Sequence, residues 1–161
     1  MPFFYDMQRS TTSNASAGTE TTHLWGQTVA NQETLGLFGY YAASRFLTAG
    51  GAQLRVKTNS SSVATGGSAQ TPTSKNLRGN PAAQSAWKND TSAITAGSTL
   101  IIRGSVGFAQ TGGMGGYVPI VQGAAIQLMP NAINPTDVEF TTDCASNSVT
   151  FDLQVEIGEG I

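Results

Sequence analysis

The sequence predicts a mainly β protein, an antiparallel sandwich or jelly-roll-like body of about six to eight strands, with one short helix near 81–88 and an extended N-terminal arm. Three observations carry that prediction. Apolar residues recur at every second position in several runs, most completely in Val149–Ile157. Clusters of Gly, Pro, Asn and Ser separate those runs. Only 11% of residues are charged, against about 25% in typical soluble domains, so the exterior is made polar by Ser, Thr, Asn and Gly instead.

A chain of 161 residues suits one domain. Residues 1–22 read as an arm and 23–161 as the β domain, with a long loop over 59–98. Phe3, Phe4 and Tyr5 head the arm, and Ser10–Thr22 contains no large hydrophobic residue. Such a tether packs no core of its own, so its aromatic head either anchors on a neighbouring subunit or folds back on its own domain. Leu35, Phe38, Ala42 and Phe46 fit one face of a helix as well as they fit a strand. The strand reading pairs Tyr40–Thr48 with Gln53–Thr58 in a hairpin around Gly50 and Gly51.

Within 59–98, Asn80-Pro81 supplies an N-cap and a proline at the first helical position, predicting about two turns of helix that Trp87 seals to the sheet. Leu100, Ile102, Val106 and Phe108 share one parity and should face inward together. Tyr117–Met129 would form the other arm of that hairpin, broken by Pro119 and Gly123. Gly112, Gly113, Gly115 and Gly116 in the connecting loop suit unusual backbone angles or close backbone approach. A last hairpin joins the run around Val138 and Phe140 to Val149–Ile157 through the turn-like 143–148. Both of its strands would then present Asp137, Glu139, Asp152 and Glu156 on a single outward face. Like charges side by side there need relief from solvent, a cation, or basic residues such as Arg45, Arg55 and Lys57.

The residue inventory argues against several functions. A net charge of −2 offers no basic face for nucleic acid. All eight basic residues lie between Arg9 and Arg103, while Asp137, Glu139, Asp143, Asp152, Glu156 and Glu159 leave the end of the chain acidic, an asymmetry that suits oriented contacts between copies. No apolar run approaches the ~20 residues of a membrane helix, and the first residues lack a secretory pattern, so synthesis in a host cytoplasm is expected.

No catalytic residues, cofactor site or metal site are assigned. Cys144 is the single cysteine, among acids that would raise its pKa. His23 is the single histidine, beside Leu24 and Trp25, and no Gly-x-Ser-x-Gly turn presents a serine to it. The glycine cluster lacks the Lys and Ser/Thr of a phosphate loop, and no loop shows calcium-ligand spacing. Trp25, Tyr40, Tyr41, Trp87 and Tyr117 would make a carbohydrate-stacking platform if exposed, although core packing explains them as well.

A lightly charged exterior is cheaper to dehydrate against another protein than one dense in Lys and Glu. A β domain with an aromatic-tipped polar arm, long polar loops and little charge resembles, over the whole chain and without a motif match, the decoration or cement proteins and small capsid proteins of tailed bacteriophages. The resemblance implies a non-enzymatic virion protein that forms an oligomer, commonly a trimer, and bridges capsid subunits. Its partners would be its own copies and a capsid protein, without nucleic acid or membrane. Phe3, Phe4, Tyr5, the Gly112–Gly116 loop and the carboxylates Asp137, Glu139, Asp152 and Glu156 would then make the contacts. A principal capsid subunit, a tail-tube subunit and a carbohydrate-binding module are the alternatives.

Overall fold

The structure, a computed structural model, describes residues 3–13, 20–28, 34–47, 52–59, 63–76, 79, 81–97, 101–108, 116–119, 126–128, 137–144 and 149–160. Among these residues the chain is built from strands alone: β1 Phe3–Ser13, β2 Glu20–Gln27, β3 Leu35–Leu47, β4 Ala52–Asn59, β5 Thr65–Gln70, β6 Thr73–Ser74, β7 Ala86–Thr95, β8 Ile101–Phe108, β9 Gly116–Pro119, β10 Ile126–Leu128, β11 Asp137–Cys144 and β12 Val149–Glu159. They form two antiparallel sheets, consistent with a β sandwich. The first has the order β10-β3-β12-β1-β6, with β9 also on β3; the second has the order β5-β7-β2-β11-β4-β8.

The alternating pattern sets the inner faces. On β12, Leu153, Val155 and Ile157 are buried, as are Tyr5 and Met7 on β1 and Leu35, Leu37, Tyr40 and Ala42 on β3. Leu24, Leu54, Val56, Val138, Phe140 and Trp87 meet them from the second sheet to make one core. Tyr40 and Phe140 lock the sheets together edge to face, with ring centroids 5.8 Å apart. Gly26 lets Trp87 lie flat on β2, since a Cβ there would stand 2.3 Å from the indole ring.

Several expectations are corrected. The arm is not separate: β1 pairs with β12 along its whole length, from Phe3 opposite Glu159 to Ser13 opposite Val149. Tyr5 and Met7 give the strand an inner face, and the β12 ladder satisfies its backbone. The helix near 81–88 does not form. Residues 81–85 run without regular structure and β7 begins at Ala86. Two helical turns are too short to hold without packing, and the segment's backbone groups have other partners: Tyr5 Oη donates to the Pro81 carbonyl, while the Gln84 and Ser85 amides donate to Glu159. The stretch 59–98 is not one loop, because β5, β6 and β7 lie in it.

None of the three hairpins forms. β3 and β4 belong to different sheets, as do β8 and β9, and β11 and β12. Alternation gives a strand one apolar face, and that face is satisfied equally by a neighbour in the same sheet or by a strand across the core. The inward row on β8 is also broken. A register shift opposite Val56 and Lys57 skips Arg103, so Ile102 falls beside Lys57 rather than on the core side and is 55% exposed.

Candidate functional site

The two outer faces differ in character. On the second sheet, β11 turns Asp137, Glu139 and Thr141 away from the core, yet both carboxylates are 0% exposed. The chain crosses back over them. Ala64 donates its amide to Asp137 Oδ2 at 2.7 Å, and Gly97 donates its amide to Glu139 Oε1 at 2.8 Å. Thr22 donates its hydroxyl to Glu139 Oε2 at 3.0 Å. Asp137 Oδ1 meets no donor among the described residues, and the neighbouring Glu139 carboxyl acts on Asp137 from the same strand face.

Burial pushes the Asp137 carboxyl up to about 7, opposed by the Ala64 amide and reinforced by the neighbouring Glu139 charge. Burial also raises Glu139, against the Gly97 amide, the Thr22 hydroxyl, Asp137 and the Lys57 charge. Asp137 therefore keeps its proton well above the ordinary carboxylate range, with burial as the main cause.

The rest of this face is an ion-pair network. Lys57 pairs with Glu20, Arg55 lies 2.9 Å from Asp143 and 3.5 Å from Glu20, and the Thr141 hydroxyl donates to Glu20 at 2.6 Å. Partial burial works against the Glu20 charge, but Lys57, Thr141 and Arg55 outweigh it and hold the carboxyl below its ordinary value. Of the basic residues expected to relieve acidic repulsion, Lys57 acts on Glu139, whereas Arg55 pairs with Glu20 and Asp143; the Arg45 side chain lies outside the described set. Only strand order reveals this, because Lys57 comes opposite Glu139, and Arg55 opposite Thr141, through β4–β11 pairing.

His23 sits at the β2 bulge, between Phe140 and Thr141 of the facing strand. Its Nδ1 lies 2.5 Å from Asp90 Oδ2 and its Nε2 2.7 Å from Thr142 Oγ1. An Asp–His–hydroxyl line has the elements of acyl-transfer catalysis. Here His23 and Thr142 are both buried, which denies a substrate the approach that nucleophilic attack requires.

The outer face of the first sheet is open and aromatic. Phe4 is 42% exposed and Tyr41 46% exposed. Phe4 meets Phe38 at 5.6 Å, next to the point where Gly158 and Gly36 stand in register. Gln8 and Tyr41 flank Gln154, and Asp6 is beside Glu156. Lys75 bridges Glu156 and Asp6, lying 3.3 Å from the latter. Partial burial opposes the Lys75 charge, but these carboxylates outweigh it and raise its pKa.

The contact residues expected from sequence are therefore dispersed. Phe3, Phe4 and Tyr5 lie on β1, with Tyr5 in the core, Phe3 packed against it and only Phe4 outward. Asp137 and Glu139 are buried in one sheet, while Asp152 and Glu156 are half-buried on the other, so no single acidic face exists. Gly116 opens β9 opposite Ala42; Gly112, Gly113 and Gly115 lie outside the described residues. Of the expected aromatic platform, Trp25, Tyr40 and Trp87 are buried and Tyr41 is exposed, while the Tyr117 side chain lies outside the described set. Trp25 is spent on the Gly66 carbonyl and on Lys88, whose ammonium lies 5.5 Å from the ring centroid. Phe38, Gln8 and Gln154 were not anticipated, since only the register brings them together. No protein-family model matches this sequence, and no curated protein or solved structure matches it.

Proposed function

We propose that this chain is a non-enzymatic structural subunit of a virus particle, a jelly-roll that builds or covers the shell by packing against its own copies and a capsid protein. The observation that supports the reading is the order of strands. With β9 and β10 counted together and the inserted β5–β7 set aside, pairing is nested: β1 with β12, β2 with β11, β3 with β9/β10, and β4 with β8. Folding one long eight-strand hairpin upon itself produces this nesting, the arrangement of jelly-rolls, which recur in viral capsids and lectins. Low surface charge and an open polar-aromatic face on the first sheet favour burial against protein.

Electron microscopy and sedimentation of the purified chain test the proposal. Closed shells formed by the chain alone identify a principal capsid subunit, and ordered binding to preformed shells identifies a cement protein. A chain that stays monomeric and decorates no shell removes the virion reading.

A carbohydrate-binding module is the second reading, favoured by Phe4 and Tyr41 standing exposed on the sheet that carries Gln8 and Gln154, a stacking surface beside amide donors and acceptors. Glycan-array binding that disappears in Tyr41→Ala would support it. The buried Trp25 and Trp87 would report little of such binding by fluorescence.

A further inference from the structure

Strand edges are templates for association, and folded proteins block them with charge, proline, bulges or brevity. The edges of this sandwich are unequal. β5 carries Gly66 and Gly67 at φ of 78° and 80°, so its backbone is kinked out of regular strand geometry. β8 is interrupted by its bulge at Arg103. β9 and β10 are short, at 4 and 3 residues. β1 is different. It runs for 11 residues, its ladder to β12 has no register shift, and on its other side β6 covers only Tyr5 and Asp6. From Met7 to Ser13 no strand lies against that side among the described residues.

The direction of the backbone groups follows from two contacts. The Phe4 carbonyl accepts the Lys75 amide at 3.0 Å, and the Gln8 carbonyl accepts the Gln70 side-chain amide at 2.8 Å, both from the side away from β12. With a period of two, the N–H and C=O groups of Ser10 and Thr12 point the same way. A cleft of about 330 Å³ lies along the start of this edge, lined by Asp6, Met7, Gln8, Gln70, Thr71 and Thr73, in line with β6. An added strand would continue the course of β6, and the Gln70 side chain holds one acceptor until it arrives.

We infer that the β1 edge from Gln8 to Thr12 is an interface at which a second copy of this chain adds its own β1, antiparallel, joining two first sheets into one. The inference rests on the reading of the chain as a self-assembling subunit and specifies where it associates. Self-pairing fits the residues. A two-fold axis at Ser10 sets Gln8 of each copy opposite Thr12 of the other and Arg9 opposite Thr11, so the single charge of this stretch, Arg9, does not face itself. No lysine or proline interrupts Met7–Ser13.

Ser10→Pro tests this directly. It deletes an amide that points to the open side and places a ring there, while the ladder to β12 keeps its hydrogen bonds. Sedimentation of the full chain should show the wild type associating and Ser10→Pro at least tenfold weaker, with an unchanged circular dichroism spectrum. Amide exchange on the wild type supplies a readout independent of the variant: the Ser10 and Thr12 amides should be slowed as concentration rises. Equal association of Ser10→Pro, or exchange at Ser10 and Thr12 that does not respond to association, would overturn the edge interface and leave self-assembly standing. Protection of these amides only when a capsid protein is added would assign the edge to that protein and equally refute pairing with a second copy. A wild type monomeric at every concentration, with no shell binding, would instead remove the assembly reading itself.

Discussion

Replacing Asp137 by Asn should alter how stability depends on pH. In the folded chain the Asp137 carboxyl is pushed up to about 7, from 3.8, mainly by burial. Between those values the folded state keeps a proton that the unfolded state has released. The folded state then binds more protons, and stability falls as pH rises. The contribution is greatest below about pH 4, declines toward pH 7 and is level above it. A shift of that size corresponds to on the order of 4 kcal/mol, at 1.36 kcal/mol per unit. Asparagine has nearly the same shape, can accept from the Ala64 amide through its oxygen, and carries no charge at any pH. Asp137→Asn should match the wild type near pH 4 and exceed it at pH 8, by an amount approaching that figure. Urea unfolding of both proteins from pH 4 to 8 measures the difference, since a changed midpoint at constant slope reports stability. A stability difference between variant and wild type that does not change across this range would refute the assignment of a buried, protonated Asp137.

Three further substitutions probe the packing. Gly26→Ala puts a methyl 2.3 Å from the Trp87 ring, so it should cost about 1–3 kcal/mol and shift Trp87 emission; an unchanged melting temperature would show that the indole moves aside freely. Tyr40→Phe removes a hydroxyl that is buried without a partner among the described residues and whose pKa burial pushes up to about 12. It should be neutral or stabilising by up to about 1 kcal/mol, as read from urea midpoints, with a marked loss pointing to an undetected partner. Glu159→Ala deletes the acceptor for the Gln84 and Ser85 amides and the Ser85 hydroxyl. A loss of about 2–3 kcal/mol is expected, together with faster proteolysis within 81–85; resistance equal to the wild type would show that the Tyr5 bond to Pro81 and the packing of Ala83 against the core hold the segment unaided.

The sequence by itself determined that the chain is β and which residues of its strongest strands face the core. Val138 and Phe140, and Leu153, Val155 and Ile157, occupy the inner faces that their alternation assigns, because that pattern is a local property of a pleated chain. The polar strands β1 and β5–β7 carry little such signal, since strands with one wet face make weak demands on composition.

Tertiary structure alone decided which strands pair and which carboxylates meet. A strand with one apolar face does not encode whether its partner lies beside it or across the core, so runs that look like hairpins cross between sheets. A carboxylate on an outward face becomes buried only when distant chain covers it, as Ala64 and Gly97 cover Asp137 and Glu139. Pairings between residues far apart in the chain depend on the whole core closing at once, and no local run of residues records that.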